Sequence, residues 1–358
     1  MKITIGGFKL TLSFLVFWFF GFVSCNFDSE KVDSILQSAD NIVEQQPDSA
    51  LQILNTVLFP ESLNKSRLNK YYLLLLQAKD KNNKDITSDT VIFDVKDYYL
   101  RKKDYPNAAM AAYYCGRLWH ERNNMNEAVK AYLEAESLAD KSDNDNLKGL
   151  IQSNLGILHH DHSSYDKAIV FLKNAIMFYE KVKNYKNETS TLRIIGDNFV
   201  FCGKRDSALY YYNQSLRLAV ICNKSKLQSE VKNSMGITYR ETGNYEQAIK
   251  YFNEALAIPN DSVEYARILL NIAKVYILEN NTDSVNIYLD KAIAFNISNP
   301  WLIRTSYLLK SQSAEKNKQY QVALNNYKET AYLDVSSCFP IILLYSTGSI
   351  STACWISL

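Results

Sequence analysis

Apolar, small and polar positions recur along most of the chain with a period near 40 residues. In one copy, Val231 and Met235 are one helical turn apart, and Ala248 and Phe252 are again one turn apart. A polar stretch with Gly243 separates the two segments, and glycine is a common helix stop. The pattern therefore predicts two short amphipathic helices per copy, joined by a turn and packed antiparallel.

The same positions carry the same residue sizes in successive copies. Four glycines lie 40 residues apart, and each is followed by alanine after 12 residues, a large apolar residue after 16 and a small residue after 19. The four positions, in order, hold Gly116, Gly156, Gly196 and Gly236; Ala128, Ala168, Ala208 and Ala248; Tyr132, Leu172, Tyr212 and Phe252; and Ala135, Ala175, Ser215 and Ala255. Two weaker copies hold Ala273, Val285, Leu289 and Ala292, and then Ser311, Ala323, Tyr327 and Thr330. Since helices approach to about 8–10 Å, we expect each glycine to face the alanine of the second helix, with the large residue filling the groove beside them.

This spacing resembles the tetratricopeptide repeat, which has a unit of about 34 residues. The resemblance is strong over residues 105–333 and weak over residues 30–104; the first large position lacks tryptophan and the period is longer. It implies an all-α fold, a right-handed α-solenoid of helix-turn-helix repeats in which each repeat buries its apolar face against the next. A solenoid has no single-core size limit, so 358 residues pose no difficulty.

The first 25 residues have the pattern of a targeting segment. Two lysines precede an apolar run over residues 10–23, which is near the length of a signal-peptide core and short for a spanning helix. Residues 22–25 read Phe-Val-Ser-Cys, which resembles a bacterial lipoprotein cleavage box with phenylalanine in place of the usual aliphatic residue. We expect a lipoprotein signal peptide and a lipid on Cys25, with an uncleaved membrane anchor as the alternative. Either predicts an exported protein tethered in the bacterial cell envelope, and we expect the outer membrane.

The rest of the chain divides into three parts by pattern. Residues 26–104 are predicted to be degenerate helical repeats, residues 105–333 six tetratricopeptide-like repeats, and residues 334–358 an apolar tail. From Val335 to Leu358 the tail has no charged residue. Three interpretations stay open for it: a poor transmembrane helix, an apolar cap on the last repeat, or the product of a reading frame lost near Asp334.

Composition excludes several classes of function. A formal net charge of +2 gives no electrostatic basis for binding nucleic acid. The cysteines form no CxxC pair and an odd number remains after lipidation, so a disulfide framework is not expected. No nucleophile elbow, phosphate-binding glycine loop or HExxH motif is present, and we predict a protein that is not an enzyme and binds no cofactor.

Three of the four histidines are crowded at residues 159–162, which raises the question of a metal site. Metal ligands on one helix usually lie four residues apart, whereas His159 and His160 are adjacent and point to different sides. In the repeat register His159 occupies the position of Phe199 and Tyr239, which is predicted to be core. A structural role is therefore preferred to a weak divalent-metal site, and no metal is predicted.

The family resemblance implies where a partner would bind. In tetratricopeptide repeats the first helix of each pair lines a concave groove, through residues shortly after the small position. Carried over to this sequence, the predicted groove residues are Arg117, His120, His160, Asp197, Phe201, Arg240 and Lys274. Their mixed polarity suits an extended or helical peptide, because polar groups fix its register and apolar ones supply contact area.

The sequence thus predicts a membrane-anchored scaffold that binds a protein or peptide in its groove. One alternative is the sensory half of a membrane signalling protein or transcription regulator whose remainder is missing. A second is a glycan-binding surface lipoprotein, which would need exposed tryptophans. Trp18 lies in the targeting segment and Trp119 in a core register position, so the second alternative ranks lower.

Overall fold

The structure is a computed structural model that describes residues 29–259, 261–295 and 299–337. Over those residues the chain consists of α-helices and one 3-10 turn, Pro60–Ser62, with no strand. The helices are α1 Ser29–Ile42, α2 Pro47–Leu54, α3 Lys65–Lys81, α4 Val91–Lys102, α5 Tyr105–Glu121, α6 Met125–Asp140, α7 Asp145–Asp161, α8 Tyr165–Val182, α9 Tyr185–Phe201, α10 Arg205–Ile221, α11 Ser225–Glu241, α12 Tyr245–Leu256, α13 Ser262–Leu278, α14 Thr282–Phe295, α15 Pro300–Lys316 and α16 Tyr320–Ser337. Cys25, the targeting segment and residues 338–358 of the apolar tail lie outside the described residues.

The helices form two compact units. Unit 1 ends at Leu158 and unit 2 begins at His159, so the division falls within α7. In unit 1, α1, α2 and α3 enclose a core that includes Leu36, Ala50 and Leu54. In unit 2, α9 packs on α10, α11 on α12, α13 on α14 and α15 on α16. The all-α helix-pair architecture predicted from the spacing is confirmed.

The turns explain why the period is 40 rather than 34. Residues with positive φ recur every 20 residues, at Asn83, Lys103, Asn123, Asp143, Ser163, Lys183, Gly203, Asn223 and Gly243. Each ends a helix, and the helices α5, α7, α9 and α11 all have 17 residues. A half-repeat is therefore a 17-residue helix followed by a short turn whose middle residue is left-handed. The predicted helix stop at Gly243 is confirmed, with φ of 75°.

Asparagines begin many of the helices directly after these turns. The Asn124, Asn184 and Asn244 side chains each accept a hydrogen bond from the backbone N–H three residues later, at 3.2–3.3 Å. Asparagine is among the best N-cap residues because it satisfies one of the four N–H groups that have no partner within the helix. The backbone N–H of Asn244 also donates to the Tyr239 carbonyl at 3.0 Å, so the same residue closes the preceding helix.

At Gly116, Gly196 and Gly236, the atoms nearest to an added Cβ belong to the aromatic ring that was predicted to fill the groove. A Cβ placed on Gly236 would stand 2.5 Å from the Phe252 ring, and one on Gly196 would stand 2.4 Å from the Tyr212 ring. The physical reason is that a helical Cβ tilts toward the N-terminus of its helix, and there the large side chain of the second helix crosses. The alanines, such as Ala248, are fully buried, but glycine makes room for the ring.

A second ring position runs through unit 2. Counted from the small position of each repeat, the residue at +3 stacks on the residue at +15. The pairs are His159 on Phe171, Phe199 on Tyr211, Tyr239 on Tyr251, and Tyr276 on Tyr288, with ring centroids 5.2–5.4 Å apart. His159 therefore takes the place of an aromatic packing residue. Burial lowers the pKa of its imidazole, and Lys167 and His162 add to this. Its Nδ1 has no hydrogen-bond partner among the described residues.

Candidate functional site

Three successive first helices of unit 2, α9, α11 and α13, border a cavity of about 340 Å³. Its lining combines charged, amide and apolar side chains, together with the Tyr212 ring from α10. The lining residues on the first helices are Arg193, Asp197, Val200 and Phe201; Glu230, Asn233, Ser234, Ile237 and Thr238; and Glu264 and Arg267. Of the predicted groove residues, Asp197 and Phe201 lie in this cavity.

Arg193 is at the centre of the charged part of the cavity. Its Nη1 donates to Asp197 Oδ2 at 2.7 Å, and its Nε lies 3.8 Å from Glu230 Oε2. Burial lowers the pKa of the guanidinium, but Asp197 and Glu230 outweigh it, so the net pKa is raised and the charge is retained. The Tyr212 hydroxyl donates to Asp197 Oδ1 at 2.7 Å. Both oxygens of Asp197 are thus occupied, whereas Glu230 accepts no hydrogen bond from the described residues.

A second polar network links α11 to α13. Asn233 Nδ2 donates to Glu264 Oε1 at 3.2 Å, and Asn271 Nδ2 donates to Asn233 Oδ1 at 2.9 Å. Glu264 is only 3% exposed and also accepts from Arg267 Nη1 at 2.8 Å. Burial raises the pKa of the Glu264 carboxyl. These bonds hold the side chains at the base of the cavity in fixed positions, so an incoming group meets a preformed polar surface.

The other end of the cavity is aromatic. Phe201 is 59% exposed although its ring stacks on Tyr165, with centroids 4.8 Å apart and 11° between planes. The His160 ring meets Phe201 edge to face at 5.4 Å. His160 Nδ1 lies 3.1 Å from Asn198 Oδ1, and Asn198 Nδ2 already donates to the Ile194 carbonyl. Asn198 Oδ1 is therefore placed to accept a hydrogen bond from Nδ1 of His160 when that nitrogen carries the hydrogen. His160 itself borders Phe201 but does not line the cavity.

Arg240 and Lys274 lie on α11 and α13 but outside the cavity lining. The Arg240 guanidinium donates to Glu241 Oε1 at 2.6 Å and to Asn271 Oδ1 at 3.2 Å. Lys274 is half-buried, and burial followed by the positive charge of Arg240 lowers the pKa of its ammonium. Arg240 therefore borders the polar network through Asn271, and Lys274 lies near Arg240.

In unit 1, the predicted groove residues Arg117 and His120 are half-buried on α5. Arg117 Nη2 lies 2.8 Å from Asp80 Oδ1 on α3 and 2.8 Å from Glu121 Oε1. Burial lowers the pKa of the guanidinium, but Asp80 outweighs burial and the net pKa is raised. Arg117 therefore joins α5 to α3, which is a structural use of the side chain.

The sequence analysis missed Arg193, Glu230 and Asn233. The family rule names residues just after the small position, whereas these three lie on the N-terminal side of it. A signal was available: Arg193 precedes Asp197 by four residues, as Asn233 precedes Ile237. Residues four apart share one helix face, so the predicted face should have been extended one turn upstream.

The described residues form neither a metal-binding cluster nor a membrane-spanning helix. They contain no group of three or more His, Cys, Asp or Glu side chains placed to hold a metal ion. His159 stacks on Phe171 while His160 bonds to Asn198, so these neighbours serve different surroundings. Within residues 29–337, apart from the gaps given above, no helix combines the length and apolar character needed to cross a membrane.

The fold and its cavity define an all-helical repeat protein, built from helix pairs that pack on one another in sequence. The family model of the tetratricopeptide repeat matches residues 227–297, which covers α11 to α14. Residues 227–297 of the chain therefore match the tetratricopeptide repeat, and the helix pairs on either side of them follow the same architecture.

Curated and solved proteins are similar to the chain over part or most of its length. Outer dynein arm-docking complex subunit 4 of Xenopus laevis is 25% identical over 172 residues, which is 46% of this chain and 32% of the relative. The chain thus spans about a third of the length of that relative. A Rap protein complexed with Competence and Sporulation Factor has a TM-score of 0.61 at 14% identity, over 87% of this chain and 99% of that one. NprR in complex with its cognate peptide NprX has a TM-score of 0.55 at 20% identity, over 88% and 90%. At such identities the solved structures show the fold alone.

Proposed function

We propose that the protein is a non-catalytic scaffold, which binds a peptide segment of a partner protein in the unit 2 cavity. The observation that carries the proposal is the pairing of an exposed aromatic ring, Phe201, with the polar network around Arg193 and Glu230 in one cavity of about 340 Å³. An exposed aromatic ring supplies contact area at low entropic cost, and adjacent polar groups select orientation.

The polar groups of the cavity also indicate which atoms of a bound segment would form hydrogen bonds with it. Glu230 has unfilled acceptor positions, and Ser234 and Thr238 line the same face of α11. Backbone N–H groups of an extended peptide are donors that these oxygens can receive. The likeness in fold to a Rap protein and to NprR, both solved with the factor or peptide named above, supports a peptide in particular as the partner.

A photo-crosslinking amino acid placed in the full chain tests the proposal. Position 201 is in the cavity, whereas Trp301 at the start of α15 is equally exposed, at 59%, and lies outside the cavity lining. We expect discrete adducts with a cellular polypeptide at position 201 and none of the same mass at position 301. Equal adducts at both positions would show non-specific contact and end the proposal.

Phe201→Ala in the otherwise unchanged chain gives a second measurement. If the captured polypeptide is bound in the cavity, its affinity measured with the purified partner should fall by about tenfold or more, as expected for a central aromatic contact. The control is Trp301→Ala, which should leave the affinity unchanged. An unchanged affinity for Phe201→Ala would place the partner elsewhere on the protein.

A second candidate is the sensory half of a signalling protein, and the likeness in fold to NprR with its peptide favours it over a glycan-binding surface. The DNA that follows the last codon separates the two proposals. An open frame that encodes a membrane helix or a DNA-binding domain would support the sensor, and an intergenic sequence would support the scaffold.

We further propose export and lipid attachment at Cys25, and therefore a membrane location in the cell envelope. The support is the sequence pattern of residues 1–25 alone. Radiolabelled palmitate fed to expressing bacteria should label the chain, and Cys25→Ser should abolish both the label and sedimentation with membranes. A labelled Cys25→Ser protein would show that the lipid is attached to another residue.

A further inference from the structure

A second cavity, of about 720 Å³, lies on the second-helix side of unit 2. It is bordered by one face of α10, including Tyr210, Leu218 and Ile221, and by Glu188 from the first turn of α9. It shares no lining residue with the cavity of α9, α11 and α13. The inference drawn from it is thus independent of the proposed peptide site.

Glu188 is an unsatisfied acid in the wall of this cavity. Its side chain is only 8% exposed, and Oε2 accepts no hydrogen bond from any residue that the structure describes. Leaving a buried acceptor unpaired destabilises the folded protein, and more so when the acceptor is charged. Burial, with a contribution from Glu180, raises the pKa of the carboxyl. A partner that supplies a hydrogen-bond donor to this oxygen would therefore be stabilised by the contact.

The next repeat shows that the fold itself does not need an acid here. Gln228 occupies the same register 40 residues later, and its Nε2 donates to the Ala219 carbonyl at 3.2 Å. A carboxylate cannot make that bond, because it has no hydrogen to donate. Glu188 is therefore not a copy of the structural amide at Gln228, and a different role has to account for it.

The residues that line the cavity indicate the kind of side chain that would bind there. Tyr210 and Ile221 are exposed at 59% and 73%, and Leu218 is half-buried between them. Such a surface suits the methylenes of a long side chain, while the tyrosine face attracts a cation. Arg217 on the same face has no ion pair among the described residues, so it can meet a carbonyl or carboxylate of the same partner.

We propose that this cavity is a docking site for a lysine side chain of a partner protein, whose ammonium donates to the Glu188 carboxylate and whose methylenes lie on Leu218 and Ile221. Lysine is preferred to arginine because the one carboxylate in the lining, with a single unpaired buried oxygen, matches a compact ammonium better than a broad guanidinium fork. The site is a second surface of the same unit and would allow the protein to hold two partners at once.

The test uses the full chain and three fluorescent helical peptides of leucine and alanine, which differ only at one central position: lysine, norleucine or glutamate. Fluorescence anisotropy measures their affinities for the unaltered protein, for Glu188→Gln and for Glu180→Gln. Glu180 is the matched control, since it is an exposed acid near Glu188 that does not line the cavity.

We expect the unaltered protein to prefer the lysine peptide over the norleucine peptide by about tenfold or more, as for a desolvated ion pair. Glu188→Gln should remove that preference and Glu180→Gln should keep it. The circular dichroism and thermal midpoint of Glu188→Gln should be unchanged or higher, which separates lost binding from lost folding. The proposal is overturned if the lysine peptide does not bind, if Glu188→Gln keeps the preference, or if both variants lose it equally.

Discussion

The Gly236 repeat and the last described repeat differ in the fate of one aromatic side chain. In α11 and α12, Phe252 is fully buried and its ring fills the space beside Gly236. In α15 and α16, Tyr327 has the same register but is 58% exposed. The residue opposite Tyr327 in the register is Ser311, whose Oγ donates to the Ala323 carbonyl at 2.8 Å.

The difference indicates that the size of the small residue on the first helix and the size of the large residue on the second helix depend on each other. A ring fits where the first helix has no Cβ, because a Cβ on Gly236 would stand 2.5 Å from the Phe252 ring. Where the first helix carries the methyl group of Ala273, the second carries Leu289, which is also fully buried. Ser311 adds a hydroxyl, and the aromatic side chain there remains outside. Small changes of volume matter in a close-packed interior, and in these repeats the size of the first-helix residue varies together with the side chain that is buried opposite it.

The largest expected effect comes from removing the buried ring. Phe252→Ala should reduce the free energy of unfolding by about 3–5 kcal/mol, because it removes a ring and leaves a cavity. Tyr327→Ala should change it by less than about 0.5 kcal/mol, as for a surface substitution. Urea denaturation followed by circular dichroism measures both. Equal losses would mean that the exposed position of Tyr327 does not describe its packing.

A double-mutant cycle at Gly236 and Phe252 should give the next largest effect on the free energy of unfolding. Gly236→Leu should destabilise the protein by about 1–3 kcal/mol through overpacking. Combined with Phe252→Ala, the leucine enters the space left by the ring, so the double variant should be more stable than the sum of single losses predicts, by about 1 kcal/mol or more. Additive losses would show that glycine is needed for a contact other than the ring.

Much of this architecture was readable from the sequence, because residue size repeats at fixed spacing. The helix pairs and Gly243 as a stop were predictable from local rules of periodicity and turn chemistry. Phe252 was expected to fill the groove beside Gly236, but spacing alone does not tell that its ring lies directly over the glycine.

For the site, Asp197 and Phe201 were predicted and Arg193 and Glu230 were missed. The reason is that Arg193 and Glu230 acquire their role from each other across two helices, at 3.8 Å. The sequence shows them 37 positions apart with no pattern that joins them. Contacts of this kind depend on how far one helix is shifted along the next, and that is set by packing.

A smaller effect concerns the hydroxyl at the ring position. Tyr212 has the hydroxyl and donates it to Asp197, whereas Phe252 lacks it and the matching residue is the apolar Ile237. Tyr212→Phe should cost about 1 kcal/mol for the lost hydrogen bond. Phe252→Tyr should cost about 1–3 kcal/mol if the new hydroxyl is buried without a partner. A neutral Phe252→Tyr variant would show that solvent or another group reaches this point, and thermal unfolding of both variants decides it.

The smallest expected effect is a pH dependence of stability that comes from one of the stacked ring pairs. The Gly236 repeat has Tyr239 at this position, whereas the Gly156 repeat has His159 on α7. Burial lowers the pKa of His159 in the folded protein below its ordinary value of 6.5. The unfolded chain then binds a proton more readily, so the stabilising contribution of His159 is complete above pH 6.5 and is lost as the pH falls.

His159→Tyr, which copies Tyr239, should leave the thermal midpoint nearly unchanged at about pH 8 and raise it relative to the parent at about pH 5. The exposed His162 in the following turn is the control, and His162→Gln should alter the pH dependence less. If His159→Tyr and the parent lose stability in parallel on acidification, the imidazole is not held neutral by its stacking on Phe171, and the packing of this ring pair differs from that of Tyr239 on Tyr251.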